Sequence, residues 1–212
     1  MNTPTKSTIV QIGVGATQTG RTAKDDDMYT TVSGLETSPD LLLLVEPNPV
    51  HIKTIESRYK ALSNLDFDNV RIENIAISTN DEKEVNFYYH PDDTPFFEVA
   101  SLDPDHICKH RDFKAHELEV IKVPTMTVAS LFDKYEIKEV DLLIMDTEGM
   151  DDTILKTIDF SKYKIKRLLF ENCHLKDAGI HAYLKTQGFH LVDPNHGEMG
   201  WNSFMVSKDL VK

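Results

Sequence analysis

STIVQIGVGATQTG, residues 7–20, is the stretch from which the fold of this chain can be read. Ser7 to Ile12 is short, apolar and rich in β-branched residues, the composition of a buried strand, and it runs straight into a turn bounded by Gly13 and Gly20. Glycine there leaves the backbone open to positive φ and to close approach by a ligand. A strand delivering glycines at its carboxyl end is the opening move of many nucleotide-binding sheets, in which ligands lie beyond the strand ends.

The same alternation recurs downstream. Leu41 to Val45 is a second apolar run, stopped at Glu46-Pro47-Asn48-Pro49 by two prolines that can open the next helix. His51 to Leu62 carries Ile52, Ile55, Tyr59 and Leu62 at helical spacing, one apolar stripe. Val70 to Ile77 reads as a third strand and Glu84 to Tyr89 as a neighbour. From His90 to Glu117 the sequence is polar, holds Pro91, Pro95 and Pro104 and shows no period, which marks an excursion from the scaffold of the kind used for lids and binding loops.

Beyond it, the pattern predicts a strand at Val120 to Val123, a helix at Val128 to Tyr135 and a strand at Val140 to Met145 that is apolar on both faces. A helix at Asp151 to Thr157, a strand at Arg167 to Phe170 and a helix at Asp177 to Gln187 closed by Gly188 follow, then strands at Phe189 to Val192 and Ser203 to Val206. The expectation is an α/β fold with a mostly parallel sheet and helices on both faces. All 212 residues form one domain in this reading, with a lid-like excursion at about 90–117.

Composition narrows the partners. Lys and Arg number 23 against 35 Asp and Glu, a formal charge of −12 that repels phosphate backbones and anionic lipids, so neither nucleic acid nor membrane is an expected partner. No apolar run reaches the roughly 20 residues of a membrane span, and Met1 to Thr8 has no hydrophobic signal core, so a cytoplasmic location is expected. Cys108 and Cys173, far apart and without a CxxC partner, suggest neither a disulfide framework nor a zinc finger.

Chemistry is sought at the strand ends. Gly13 and Gly15 follow the first strand. Glu46 follows the second, roughly 30 residues beyond the glycines, where a carboxylate can accept both hydroxyls of a ribose. Asn74-Ile75-Ala76 ends the third, and Asp146-Thr147-Glu148-Gly149 a later one. Singly these are turns and caps. Their recurrence at successive strand ends points to one ligand site.

The set QIGVG from Gln11, LVEPNP from Leu44, ENIAIS from Glu73 and IMDTEGMDDTIL from Ile144 resembles the FkbM-type methyltransferases, over roughly Ser7 to Asn172. The acidic D-x-E-G string is its most specific part. The resemblance implies a Rossmann-like class I methyltransferase fold with a seven-stranded sheet containing one antiparallel strand. It also implies S-adenosylmethionine as methyl donor and a hydroxyl of a small molecule or sugar as acceptor. On this resemblance Gln11, Gly13 and Gly15 would line the methionine moiety, and Glu46 would hold the ribose hydroxyls with Asn48 among the cofactor-binding residues. Asn74, Ile75 and Ala76 would border the adenine, and Asp146 would face the methionine end. The family places an acid where Gln11 stands; an amide oxygen accepts the same hydrogen bond without the charge, and charge-assisted bonds are roughly twice as strong. The stretch after the glycines is also longer and more polar than the family's turn, and Asp25, Asp26 and Asp27 suit the positive end of a helix starting there.

Methyl transfer to oxygen needs an aligned acceptor and, for a poor nucleophile, a base. Asp146, Glu148 and His174 are the candidate catalytic residues, His174 because its ordinary pKa lies near neutrality. Asp146, Glu171 and Asn172 offer an alternative oxygen set for magnesium, which the resemblance does not require, and no resident metal is expected. His106-Ile107-Cys108-Lys109-His110, with His90 and His116 nearby, lacks the usual zinc spacings. A lid over the acceptor is the favoured reading of this region, with Phe96, Phe97 and Leu102 as apolar contacts and Ser101 reaching the cofactor; the alternative is that these residues pin the loop to the core. Trp201 would join the acceptor pocket or pack on the last strand. Two rival functions stand. VGATQTG is also similar to the glycine turn of nicotinamide-dependent reductases, but no tyrosine is followed four residues later by lysine. A non-catalytic Rossmann-like binding module is the other, favoured by Gln11.

Overall fold

The computed structural model describes residues 6–15, 27–93, 99–175, 179–197 and 200–211. Along the chain run β1 (Thr8–Ile12), α1 (Asp27–Ser33), β2 (Leu41–Val45), α2 (Ile52–Lys60), β3 (Val70–Glu73), β4 (Ala76–Ile77) and β5 (Glu84–Tyr89). Then come α3 (Pro104–Arg111), β6 (Glu119–Met126), α4 (Val128–Lys134), β7 (Glu139–Val140), β8 (Leu142–Met145) and α5 (Asp151–Leu155). The chain ends with β9 (Lys164–Ile165), β10 (Arg167–Glu171), α6 (Ile180–Thr186), β11 (Phe189–His196) and β12 (Asn202–Ser207).

The main sheet has seven strands in the order β11-β12-β10-β8-β1-β2-β3. From β3 to β10 every pair is parallel; among the described residues only β12 runs against both its neighbours. The order reverses at β1, where one half of the sheet grows through β2 and the other through β8. That puts the carboxyl ends of these central strands at the switch point where open sheets bind ligands.

Strand alternation assigns the two faces. Val10, Ile12, Leu43 and Val45 pack into one core with Leu131 and Phe132 of α4, Leu155 of α5 and Leu184 of α6. Ile9, Leu42 and Leu44 pack into a second core with Val32 of α1 and Ile55 and Tyr59 of α2. Complete burial of a leucine such as Leu43 contributes roughly 1.5–3 kcal/mol. Gln11 shares the face of Ile9, so its amide sits inside the second core.

Three expectations are corrected. Val70 to Ile77 is not one strand: β3 stays in the main sheet while β4 leaves it to form a three-stranded sheet, β4-β6-β5. The break falls at Asn74, whose side-chain N–H group donates to the carbonyls of Glu46 (2.8 Å) and Pro47 (3.0 Å) and so ties this point to the loop after β2. Val140 to Met145 is likewise divided, with β7 pairing β9 and β8 entering the main sheet. Asp141 lies at that division, its carboxylate accepting from the Thr8 N–H (2.8 Å) and from Lys166 Nζ (2.7 Å). The excursion contains regular structure, α3, started by Asp103, whose side chain accepts from the Asp105 N–H, and by Pro104 in its first turn. Helix α6 falls within the predicted Asp177 to Gln187, of which residues 177 and 178 lie outside the described set. Among the described residues no helix is long and apolar enough to cross a membrane.

Candidate functional site

The turn after β1 holds two glycines with different duties. Gly13 has φ +76°, and a Cβ there would overlap the carbonyl oxygen of Asp146. Its N–H donates to the Val45 carbonyl (2.9 Å), while the Asp146 N–H donates to the Ile12 carbonyl (2.9 Å), so the exits of β1, β2 and β8 are laced together around it. Gly15, at φ +61°, would meet nothing within 4 Å among the described residues if it carried a Cβ. Gly13 is therefore needed for strand packing, and Gly15 has no described neighbour crowding its Cβ direction.

Glu46 closes that turn. Its Oε2 accepts from the Gly15 N–H (2.8 Å) and its Oε1 from the Asn48 N–H (2.7 Å). The residue is only 4% exposed. Burial pushes its carboxyl up to about 7, although the N–H groups of Asn48, Gly15 and Val14 favour the charged form. His51 is buried behind it, with Nε2 3.4 Å from Asn48 Nδ2. Burial depresses that imidazole to about 4, which keeps it neutral. Asn74 braces the loop as described, and Ile75 and Ala76 are buried in two different clusters. Gln11 is 1% exposed: its Oε1 accepts from the Tyr59 hydroxyl (2.8 Å), and its buried Nε2 has no partner among the described residues.

The exits of β8 and β10 form the second half of the site. Thr147 donates through its N–H (3.1 Å) and its hydroxyl (2.9 Å) to Asp151 Oδ2, folding the loop onto the start of α5. Burial, reinforced by the charge of Glu171, raises the Asp151 pKa. Glu148 has φ +51°, a left-handed conformation uncommon for a residue with a side chain. Its Oε2 lies 2.9 Å from His106 Nε2, and its carbonyl accepts from the Ser101 hydroxyl (2.8 Å). A Cβ at Gly149 would stand 2.7 Å from His106 Nδ1, so glycine is what lets α3 close on this loop.

After β10, Glu171 Oε1 lies 3.0 Å from His174 Nδ1 and accepts from Cys173 Sγ at 3.2 Å. The hydrogen bond that the Glu171 carboxylate accepts from His174 raises the His174 pKa above its ordinary value. Burial and then the charge of Glu171, with smaller contributions from Asp146 and Glu148, push the Cys173 thiol far above its ordinary range. That makes it a poor nucleophile despite the histidine beside it. The His106 and His174 rings meet edge to face, 4.8 Å between centroids. The structure thus joins Glu148 and His174 through His106, a residue that sequence spacing groups with Cys108 and His110 instead.

The sequence family described as the methyltransferase FkbM domain matches residues 14–191. The chain belongs to the FkbM methyltransferase family. The match takes in Gly15, Glu46, the Asp146–Gly149 loop and His174, and begins one residue beyond Gly13. No curated protein and no solved structure matched the chain in the corresponding searches. Family membership sets aside the reductase reading of the glycine turn.

In this FkbM methyltransferase several of the other singled-out residues serve the scaffold. Asn172 Nδ2 donates to the Pro194 carbonyl (2.6 Å) and the Ser203 hydroxyl (2.8 Å). Ser101 pairs with Tyr88 through both backbone groups, and Leu102 packs against the small-sheet cluster, which pins this end of the excursion. His90 stacks on Phe113 at 3.7 Å between ring centroids. Trp201 is 45% exposed, and its carbonyl accepts from the Asn172 N–H (2.7 Å). Phe96 and Phe97, Asp25 and Asp26, and the side chains of Asp27 and His110 lie outside the described residues.

Proposed function

We propose that this FkbM methyltransferase takes its methyl group from S-adenosylmethionine and transfers it to an oxygen, a hydroxyl of a small molecule or sugar. The observation that carries the donor half is the buried Glu46 carboxylate, held at the switch point by the N–H groups of Gly15 and Asn48 beside a glycine that no described residue crowds. The two carboxylate oxygens carry four lone pairs, of which the N–H groups of Asn48, Gly15 and Val14 use three, which leaves acceptor capacity for a ribose hydroxyl. Gln11 fits less directly. Its oxygen is engaged by Tyr59, and the polar atom it offers is the Nε2 donor, suited to the cofactor's carboxylate rather than its ammonium.

When bound, S-adenosylmethionine supplies an electrophilic methyl on a sulfonium. The protein's part is to bind the donor along Gly15, Glu46 and Asn48 and to keep Asp146 against the glycine turn. In this reading Asp146, Glu148 and His174 hold the acceptor's oxygen and take its proton. A non-catalytic module, favoured by the neutral Gln11, predicts binding without turnover.

The test is calorimetric titration with S-adenosylmethionine, S-adenosylhomocysteine and a nicotinamide dinucleotide, followed by methyl transfer to a panel of hydroxylated acceptors. Saturable binding of the adenosyl compounds alone is expected. In Glu46→Ala, loss of hydrogen bonds to a charged acceptor, each worth roughly 1.5–3 kcal/mol, should weaken that binding by at least about tenfold. Unchanged affinity in the variant would sink the donor-site assignment.

A further inference from the structure

His106 from α3, Glu148 from the loop after β8 and His174 from the loop after β10 each offer one ligand atom, and all three atoms lie within 4.8 Å of one another. His106 Nε2 and Glu148 Oε2 are 2.9 Å apart. Ligand atoms about 2.0–2.1 Å from a tetrahedral ion stand roughly 3.3–3.4 Å from each other, so small side-chain movements would seat one here. The arrangement is built rather than incidental. Glu148 reaches it from a left-handed backbone, a conformation that is costly for a residue with a side chain and persists where the surroundings impose it. Gly149 supplies the clearance for His106.

Behind the cluster, Glu171 Oε1 meets His174 Nδ1 at 3.0 Å, the carboxylate–imidazole contact that orients metal-ligating histidines. The other oxygen of Glu171, Oε2, is buried with no partner among the described residues, so anionic charge here is incompletely satisfied.

We propose that His106, Glu148 and His174 bind one divalent ion of the zinc class, with Glu171 as the positioning residue behind His174, and that the ion's open position takes an oxygen of the methyl acceptor. The acceptor role rests on the methyltransferase reading; the ion site does not. Two imidazole nitrogens and one carboxylate oxygen suit zinc, cobalt, iron or manganese better than magnesium or calcium, which prefer all-oxygen shells. Three protein ligands leave a position free, the pattern of zinc sites that act on a bound oxygen. A hydroxyl bound there becomes more acidic. With Glu148 and His174 serving as ligands, its proton goes to Asp146.

The experiment is titration of the chelator-treated full chain with Co2+, followed by its visible absorption, and with Zn2+ by calorimetry, both without adenosyl compounds. One ion per chain is expected, with bands of a four- or five-coordinate cobalt centre and no intense near-ultraviolet sulfur-to-metal band. His106→Ala, Glu148→Gln and His174→Ala should each weaken binding by about 100-fold or more, and Glu171→Gln by about 10–100-fold. Cys108→Ser and Cys173→Ser should bind as the wild type does. Circular dichroism checks that each variant folds; should an alanine variant fail, the near-isosteric Glu148→Gln and the wild-type cobalt spectrum still decide. Absence of saturable binding, binding indifferent to Glu148→Gln, or binding lost in Cys173→Ser overturns the proposal, the last by moving the ion to Glu171, Cys173 and His174. Adenosyl binding is titrated separately. Its loss with ion binding intact sinks the donor reading alone, and the converse sinks the ion site alone.

Discussion

The two halves of the site are built by different means. The proposed donor half, around Gly13, Gly15, Glu46 and Asn48, joins one carboxylate to backbone groups at the exits of adjacent parallel strands, and each residue stands within a few positions of a strand end. The proposed acceptor half joins side chains from α3 and two separate loops, with His106 and Glu148 42 residues apart in sequence. Sheet register holds the first in place. The second depends on how an excursion packs back onto the strand exits.

The largest effect that would break this contrast is on turnover. Asp146→Asn keeps the backbone contacts that lace β8 to β1 but removes the carboxylate proposed as proton acceptor. The loss expected for a removed proton acceptor is about 10²–10⁴-fold in kcat, with the thermal midpoint little changed. Kinetics with saturating acceptor and a melting curve check it; a large drop in the midpoint with normal kcat would make Asp146 a scaffold residue.

Next come the glycines, which separate packing from binding inside the donor half. Gly13→Ala must overcome both positive φ and overlap with the Asp146 carbonyl, roughly 2–5 kcal/mol of lost stability. Gly15→Ala faces only the positive φ, roughly 1–2 kcal/mol, and should instead reduce adenosyl affinity, because its Cβ stands beside Glu46 where no described residue crowds it. Chemical denaturation and calorimetry on the pair should show stability falling chiefly in one variant and affinity in the other. Equal stability losses would mean that the two positions do the same job.

How much of this was legible in the sequence follows the same division. β2 and β5 fall where expected because composition and stop signals are local: LLLLV ends at Glu46-Pro47, and EVNFYY alternates. The exits of β1, β2 and β8 could be read because a strand end is a local event. The division at Asn74 could not, since its cause is a bond to Glu46 and Pro47, 28 and 27 residues away. Helix α3 did leave a signal, Asp103-Pro104, an N-cap followed by proline, but its polar composition hid the period. Gln11 was visible as a departure from the family pattern, whereas its partner Tyr59, 48 residues on, was not. The His106–Glu148–His174 cluster left no linear trace, because histidine and glutamate spacing carries meaning only when the ligands share one element.

The smallest expected effect tests whether the donor half works through the charge on Glu46. Burial favours its neutral form and lifts the carboxyl to about 7. A raised pKa in a carboxylic acid means that its contribution to stability is fully present below the unfolded value near 4.5 and is lost as pH rises through about 7, so the ligand-free protein should melt progressively lower across that window. Binding has the opposite sign. Ribose hydroxyls donate to a carboxylate, so affinity for S-adenosylhomocysteine should rise with pH up to about 7 and then level off, about tenfold between pH 6 and 7.5. His51 cannot be the source, because burial keeps it neutral down to about 4. Glu46→Gln should flatten both curves. A pH-independent affinity in the wild type would mean that the ribose is held by backbone groups alone, and the donor half would then owe its function to the strand ends rather than to the carboxylate they enclose.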